Sequence, residues 1–84
     1  MYKVLLIDDE PIIRKGLKNT ISWDTYGCSV CGEAADGIEG LEKIKEMIPE
    51  IIITDIRMPG MNGLDMIENI HEVAPGSKVI ILTG

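Results

Sequence analysis

The sequence predicts an α/β fold, a doubly wound parallel sheet with helices on both faces. Three observations carry that reading. Short runs at residues 3–8, 28–34, 51–55 and 78–83 have the length and bounding turn signals of strands, and all but the second are rich in Val, Leu and Ile. Between them lie three stretches whose apolar residues recur at helical spacing. Crossovers of that length imply parallel strands, right-handed connections and helices packed on the sheet.

The elements follow in order. Residues 3–8 read as a buried strand. Pro11 after Asp8-Asp9-Glu10 is a helix opening, and Ile13, Leu17 and Ile21 mark one face of that helix, weakened somewhat by Gly16. Residues 24–27 signal a turn before the second strand, 28–34. Asp36-Gly37 is a turn, after which Ile38, Leu41, Ile44 and Ile48 form a helical stripe, opposite a solvated face of Glu39, Glu42, Lys43, Lys45 and Glu46. Pro49 ends the helix. The strand at 51–55 is apolar until its end, as expected when both faces are covered. A loop at 56–62 holds Pro59, Gly60 and Asn62. Asn62 can cap a third helix with Leu64, Ile67 and Ile70 on its core face, and Pro75-Gly76 breaks it before the strand at 78–83.

With 84 residues the chain makes one small domain, and 45% hydrophobic residues allow a packed core. No internal repeat or low-complexity tract is evident. The net charge of −6 argues against direct nucleic-acid binding, which needs a basic face. Met1-Tyr2-Lys3 leads straight into an apolar run without a signal peptide, and the apolar runs are too short to span a bilayer, so a cytoplasmic location with no membrane partner is the default expectation. Cys28 and Cys31 form a C-x-x-C within an extended segment. Three strand steps put their α-carbons roughly 10 Å apart, beyond disulfide reach, so they are read as small apolar side chains on opposite faces. His71 is expected at the surface and Trp23 at the end of the first helix. Met58, Met61 and Met66 read as packing and loop contacts.

Chemistry concentrates at strand ends. Asp8 and Asp9 close Val4-Leu5-Leu6-Ile7, and Asp55 closes Ile51-Ile52-Ile53-Thr54. In open parallel sheets ligands bind outside the carboxyl ends of the strands. Strand order cannot be read from one sequence, but placing the first and third strands side by side brings the three acids together. They would repel unless a cation separates them, and their hard oxygens suit Mg2+. A plainer reading stays open for each, since acids at strand ends also form turns and helix caps.

Three ordered blocks spanning the chain carry a resemblance. Val4-Leu5-Leu6-Ile7-Asp8-Asp9-Glu10-Pro11, the run from Ile53-Thr54-Asp55 through Arg57-Met58-Pro59-Gly60 to Gly63, and Val79-Ile80-Ile81-Leu82-Thr83-Gly84 resemble the receiver domain of two-component response regulators. The texture of Thr20-Ile21-Ser22-Trp23 and of residues 55–63 is similar to receivers that precede arabinose-regulator-type DNA-binding domains. The resemblance implies a flavodoxin-like sheet of order 2-1-3-4, with residues 1–84 as the N-terminal part of a single receiver domain. It implies that Asp55 accepts a phosphoryl group from a sensor histidine kinase, that Asp9 binds Mg2+ directly and Asp8 through water, and that the Arg57 backbone carbonyl adds a ligand. Thr83 would hydrogen-bond the phosphoryl group, Gly84 would leave room for it, and Pro59, Gly60 and Gly63 would shape the following loop. Thr83 as a plain β-former is the simpler alternative. Kinase docking would use the exposed side of the first helix, with Ile12, Lys15 and Gly16; a core position for Ile12 is an equal reading. A C-terminal DNA-binding output domain would follow in the parent protein.

The chain departs from the family pattern in length. The family's domain runs to about 120 residues, and the fourth helix, fifth strand and fifth helix fall outside these 84 residues. The lysine and aromatic switch residue of the fifth strand go with them, and no lysine follows Thr83. An unpaired apolar fourth strand is then expected to favour self-association through its edge or marginal stability. Two other functions compete with the signalling one. A Mg2+-dependent aspartyl-phosphate phosphohydrolase would carry a second acid two residues after its nucleophile, where this chain has Arg57. A non-phosphorylated interaction or dimerisation module remains open without the lysine. The leading expectation is a phosphoacceptor that acts once per cycle, not an enzyme.

Overall fold

Val4, Leu5, Leu6 and Ile7 are all removed from solvent, although successive strand residues point to opposite faces. Both faces of their strand must therefore be covered. The structure, a computed structural model, describes residues 1–56 and 63–82 and shows how. Strands β1 (Tyr2–Ile7), β2 (Cys28–Ala34), β3 (Ile51–Asp55) and β4 (Lys78–Leu82) pair in parallel in the order β2-β1-β3-β4. Helices α1 (Pro11–Thr20), α2 (Gly37–Met47) and α3 (Gly63–Val73) make the three connections. This is the expected doubly wound α/β sheet in the order the resemblance implied. A 3-10 turn, Trp23–Tyr26, leads into β2 and is closed by Gly27 at φ 71°, a left-handed conformation that glycine adopts at little cost.

The core has two layers. On one face Leu5, Ile7, Ala34 and Ile52 meet Leu41 and Ile44 of α2 and Met66, Ile70 and Ala74 in and just after α3. On the other, Val4, Leu6, Cys28 and Ile53 pack with Leu17 of α1 and with Trp23. The Trp23 indole N–H donates to the Leu17 carbonyl at 3.2 Å and so fastens the last turns of α1, the place its sequence suggested. Cys28 and Cys31 are free and pack into opposite layers. Between Val4↔Val30 and Leu5↔Gly32 the register shifts, so Cys31 is the extra residue of a bulge.

The helix faces differ in part from the sequence expectation. Leu41 and Ile44 are buried as expected, but Ile38 and Ile48 are exposed. The buried arc of α2 is Gly37, Gly40, Leu41 and Ile44. A Cβ on Gly40 would stand 2.7 Å from Cδ1 of Ile7, so the helix backbone rests directly on β1 and Ile38 is turned outward. Ile48 ends the helix at φ 46°, a left-handed backbone rare for a β-branched residue, which takes it off the stripe. Asp36 caps this helix by accepting from the Glu39 N–H at 2.8 Å, while the Glu39 carboxylate accepts from the Ala35 N–H at 2.8 Å.

In α3 the core residue is Met66, fully buried, whereas Leu64 is exposed; Ile70 is buried as expected. His71 is exposed, as its sequence position suggested. Ile21 lies just past α1 as an extended C-cap, not within the helix. No residue of α1 is buried, and Ile13 joins Ile12 in being exposed. β4 forms one edge of the described sheet, with Ile80 and Ile81 exposed there. The expected Asn62 cap, and Met58 and Met61, lie outside the described residues.

Candidate functional site

β1 and β3 are neighbours in register Ile7↔Thr54, so the residue after Ile7 stands level with the end of β3. That register brings Asp8, Asp9 and Asp55 together: one carboxylate oxygen of each lies within 4.8 Å of the others. The site therefore sits at the carboxyl ends of two central strands, where β1 is flanked by β2 on one side and β3 on the other. Crevices of open parallel sheets form at such a switch point.

The three acids are held differently. Asp8 is only 4% exposed, Asp9 is exposed and Asp55 is half-buried. The Asp8 N–H donates to the Ala34 carbonyl at 3.0 Å, extending the contact of β1 with β2 by one residue. Its carboxylate accepts from the Glu10 N–H at 2.9 Å, which shapes the turn into α1. Asp8 thus has the turn-forming role that the plainer reading assigned to it, and it still faces the other two acids. Glu10, the N-cap of α1, makes no side-chain cap bond. Beneath the site Thr54 is fully buried and its hydroxyl donates to the Asp55 carbonyl at 3.0 Å. The signal for Thr54 was a single polar residue inside an apolar strand.

Burial raises the Asp8 pKa above the usual carboxylate value. The Glu10 N–H opposes this, and the charges of Asp55 and Asp9 add to it. The consequence for stability has a definite sign. The folded chain holds the Asp8 proton more tightly than the unfolded chain does, so this contribution is full below the ordinary value of 3.8 and is lost as pH rises through the folded pKa. Asp8→Asn should accordingly raise the denaturation midpoint of the metal-free chain at neutral pH. The gain should shrink as the pH falls through the raised folded pKa of Asp8 and vanish below the ordinary value of 3.8, where Asp8 is protonated in both states. Thermal denaturation across that pH range checks this, and a variant less stable than its parent at neutral pH would contradict it.

The donor set fits a small hard cation. Oxygens on one Mg2+ sit about 2.1 Å from it and so at most about 4.2 Å apart, and the three carboxylates need to close only slightly from their present spacing. Other features separate from the site. The two cysteines are free, with the Cys31 thiol pushed up by burial. Ile12, on α1, is 83% exposed, consistent with the exposed reading of that position. Arg57, Thr83 and Gly84, together with Pro59 and Gly60, lie outside the described residues. No helix among the described residues is long and apolar enough to cross a membrane.

The family profile of the response regulator receiver domain matches residues 4–84. The chain belongs to that family. Among relatives of this receiver domain, the transcriptional regulatory protein YesN of Bacillus subtilis is 46% identical over 84 residues, which is all of this chain and 23% of YesN. The chain thus spans about a quarter of that relative's length. The solved structure of the REC domain of AraT, a response regulator from Geobacillus stearothermophilus, superposes with a TM-score of 0.91 at 36% identity, over 95% of this chain and 62% of that one. A CheX-CheY-BeF3-Mg2+ complex from Borrelia burgdorferi superposes with a TM-score of 0.83 at 33% identity, over 95% of this chain and 60% of that one. Receiver domains bind Mg2+ at an acidic pocket, and Asp8, Asp9 and Asp55 form an acidic cluster in this structure.

Proposed function

We propose that this receiver domain takes a phosphoryl group from a phosphohistidine of a sensor histidine kinase onto Asp55, in the cytoplasm, and passes the change to a C-terminal DNA-binding output domain. The convergence of Asp8, Asp9 and Asp55 within 4.8 Å carries the reading, because a nucleophilic carboxylate so close to two others needs a cation to approach a phosphoryl group. The Asp55 carboxylate forms the new bond to phosphorus as the bond to the histidine nitrogen breaks. Asp9 would hold the ion directly and Asp8 through water, and the Arg57 carbonyl would add a ligand. Bound Mg2+ supplies charge neutralisation of the phosphoryl oxygens. Thr54 fixes the main chain of Asp55 and so the direction from which its carboxylate acts. Thr83 hydrogen-bonds the phosphoryl group once it is in place. The similarity to YesN supports a transcriptional output, and the BeF3 and Mg2+ of the CheX-CheY complex support the ligand chemistry.

Stoichiometry tests the reading. Intact mass after treatment with a small-molecule phosphodonor should rise by one phosphoryl group per chain, and only when Mg2+ is present. Continuous release of phosphate over many turnovers would instead make the chain a phosphohydrolase. No gain with or without Mg2+ would leave it an interaction module.

A further inference from the structure

Arg14 lies in the second turn of α1, with its side chain only 16% exposed. Its guanidinium does two things at once. One nitrogen, Nη1, donates to the backbone carbonyl of Asp8, and Nε donates to the Glu33 carboxylate at 3.3 Å. Asp8 is the first residue past the last ladder pair of β1, Ile7↔Ala34. Glu33 is on β2, paired with Leu6. Arg14 therefore links the turn that carries two of the acids to a strand that carries none. Glu33 is itself fixed, because its carboxylate also faces Lys18 at 3.5 Å and its carbonyl accepts from Lys43 on α2.

The clamp matters because the acids stand on unequal supports. Asp55 ends a central strand between β1 and β4, whereas Asp8 and Asp9 lie on the connection into α1, a helix with no buried residue. Mg2+ requires near-ideal octahedral ligands, so a small displacement of that connection lowers its affinity. A planar guanidinium can hold two acceptors in fixed relation, which an ammonium cannot. Resting on the metal reading above, we propose that Arg14, clamped by Glu33, is the positioning residue of the metal-binding turn and sets where Asp8 and Asp9 stand relative to Asp55.

Calorimetric titration of the full chain with Mg2+ alone tests this. Outer residues that orient metal ligands typically change affinity by about 10–100-fold when removed, and Arg14→Met should raise the Mg2+ dissociation constant by that much. Arg14→Lys should not restore it. Lys18→Met, which touches Glu33 but not the turn, should weaken binding by less than Arg14→Met does. Glu33→Gln, at a half-exposed edge-strand position, should weaken binding in the same direction and carries the test if Arg14→Met does not fold. A merely structural role would lower the denaturation temperature and leave Mg2+ affinity as in the parent; that result in both variants overturns the proposal. Asp9→Asn separates the two levels of argument. If it abolishes binding while the Arg14 and Glu33 variants bind normally, only the clamp is wrong. If the parent itself binds no Mg2+, the metal reading fails and the clamp with it.

Discussion

Asp55→Asn should fold as the parent does and take up no phosphoryl group. The exchange keeps shape and hydrogen-bonding capacity, and the half-buried position should accept it without repacking. The carbonyl of residue 55 keeps its bond from Thr54, since that contact is to the main chain. What disappears is the charge and nucleophilicity of the carboxylate, which an amide does not replace. A structural signature should accompany the chemical one. The Asp55 charge is one of the causes that raise Asp8, so in the variant Asp8 should titrate at lower pH than in the parent. Intact mass reads the first effect, and NMR titration of the Asp8 carboxyl reads the second. A variant that still gained one phosphoryl group would move the acceptor to Asp8 or Asp9. An unshifted Asp8 would mean that the acids do not converge in solution.

Ile52→Ala and Ile80→Ala should differ sharply although both are isoleucines of one sheet. Ile52 lies on β3 with no exposed surface and touches the layer built by α2 and α3. Truncating such a side chain costs about 2–5 kcal/mol, a large share of the roughly 5–15 kcal/mol that holds a typical domain together. Ile80 sits on the edge strand β4 at 49% exposure. Its loss should be small, within about 1 kcal/mol. Urea denaturation compares the two through their midpoints, provided the slopes match. Equal losses would mean that Ile80 is covered in solution, as pairing of two copies along β4 would do.

Strands were legible where an apolar run ends in charge or a turn, which is why Asp55 could be placed at the end of β3 before any geometry was known. Pro11 and Pro49 likewise marked the start of α1 and the end of α2, because proline removes a donor and fixes φ. The packed face of α2 was less legible. Apolar spacing pointed to Ile38 and Ile48, while the helix actually rests on Gly37 and Gly40, whose contribution is the absence of a side chain. Met66 was read as packing, yet Leu64 was placed on the core face; both are apolar, and only tertiary contact decides between them.

The acids of the site were visible because they close largely apolar runs. Their neighbours were not. Arg14 and Thr54 act on backbone carbonyls, and no residue pattern marks a carbonyl as an acceptor. The side-by-side placement of β1 and β3 was suggested by the convergence it gives the acids and supplied by the family resemblance, since local sequence carries no record of which strands pair.

That placement has a kinetic side. The acids come from segments roughly fifty residues apart, so they meet only after a long loop has closed, and contacts of such separation are formed late and slow folding down. An ion bound by all three would then grip the native chain without helping the search for it. Its effect would fall on the rate at which the domain opens, and the lifetime of the folded state would follow the local supply of divalent cation.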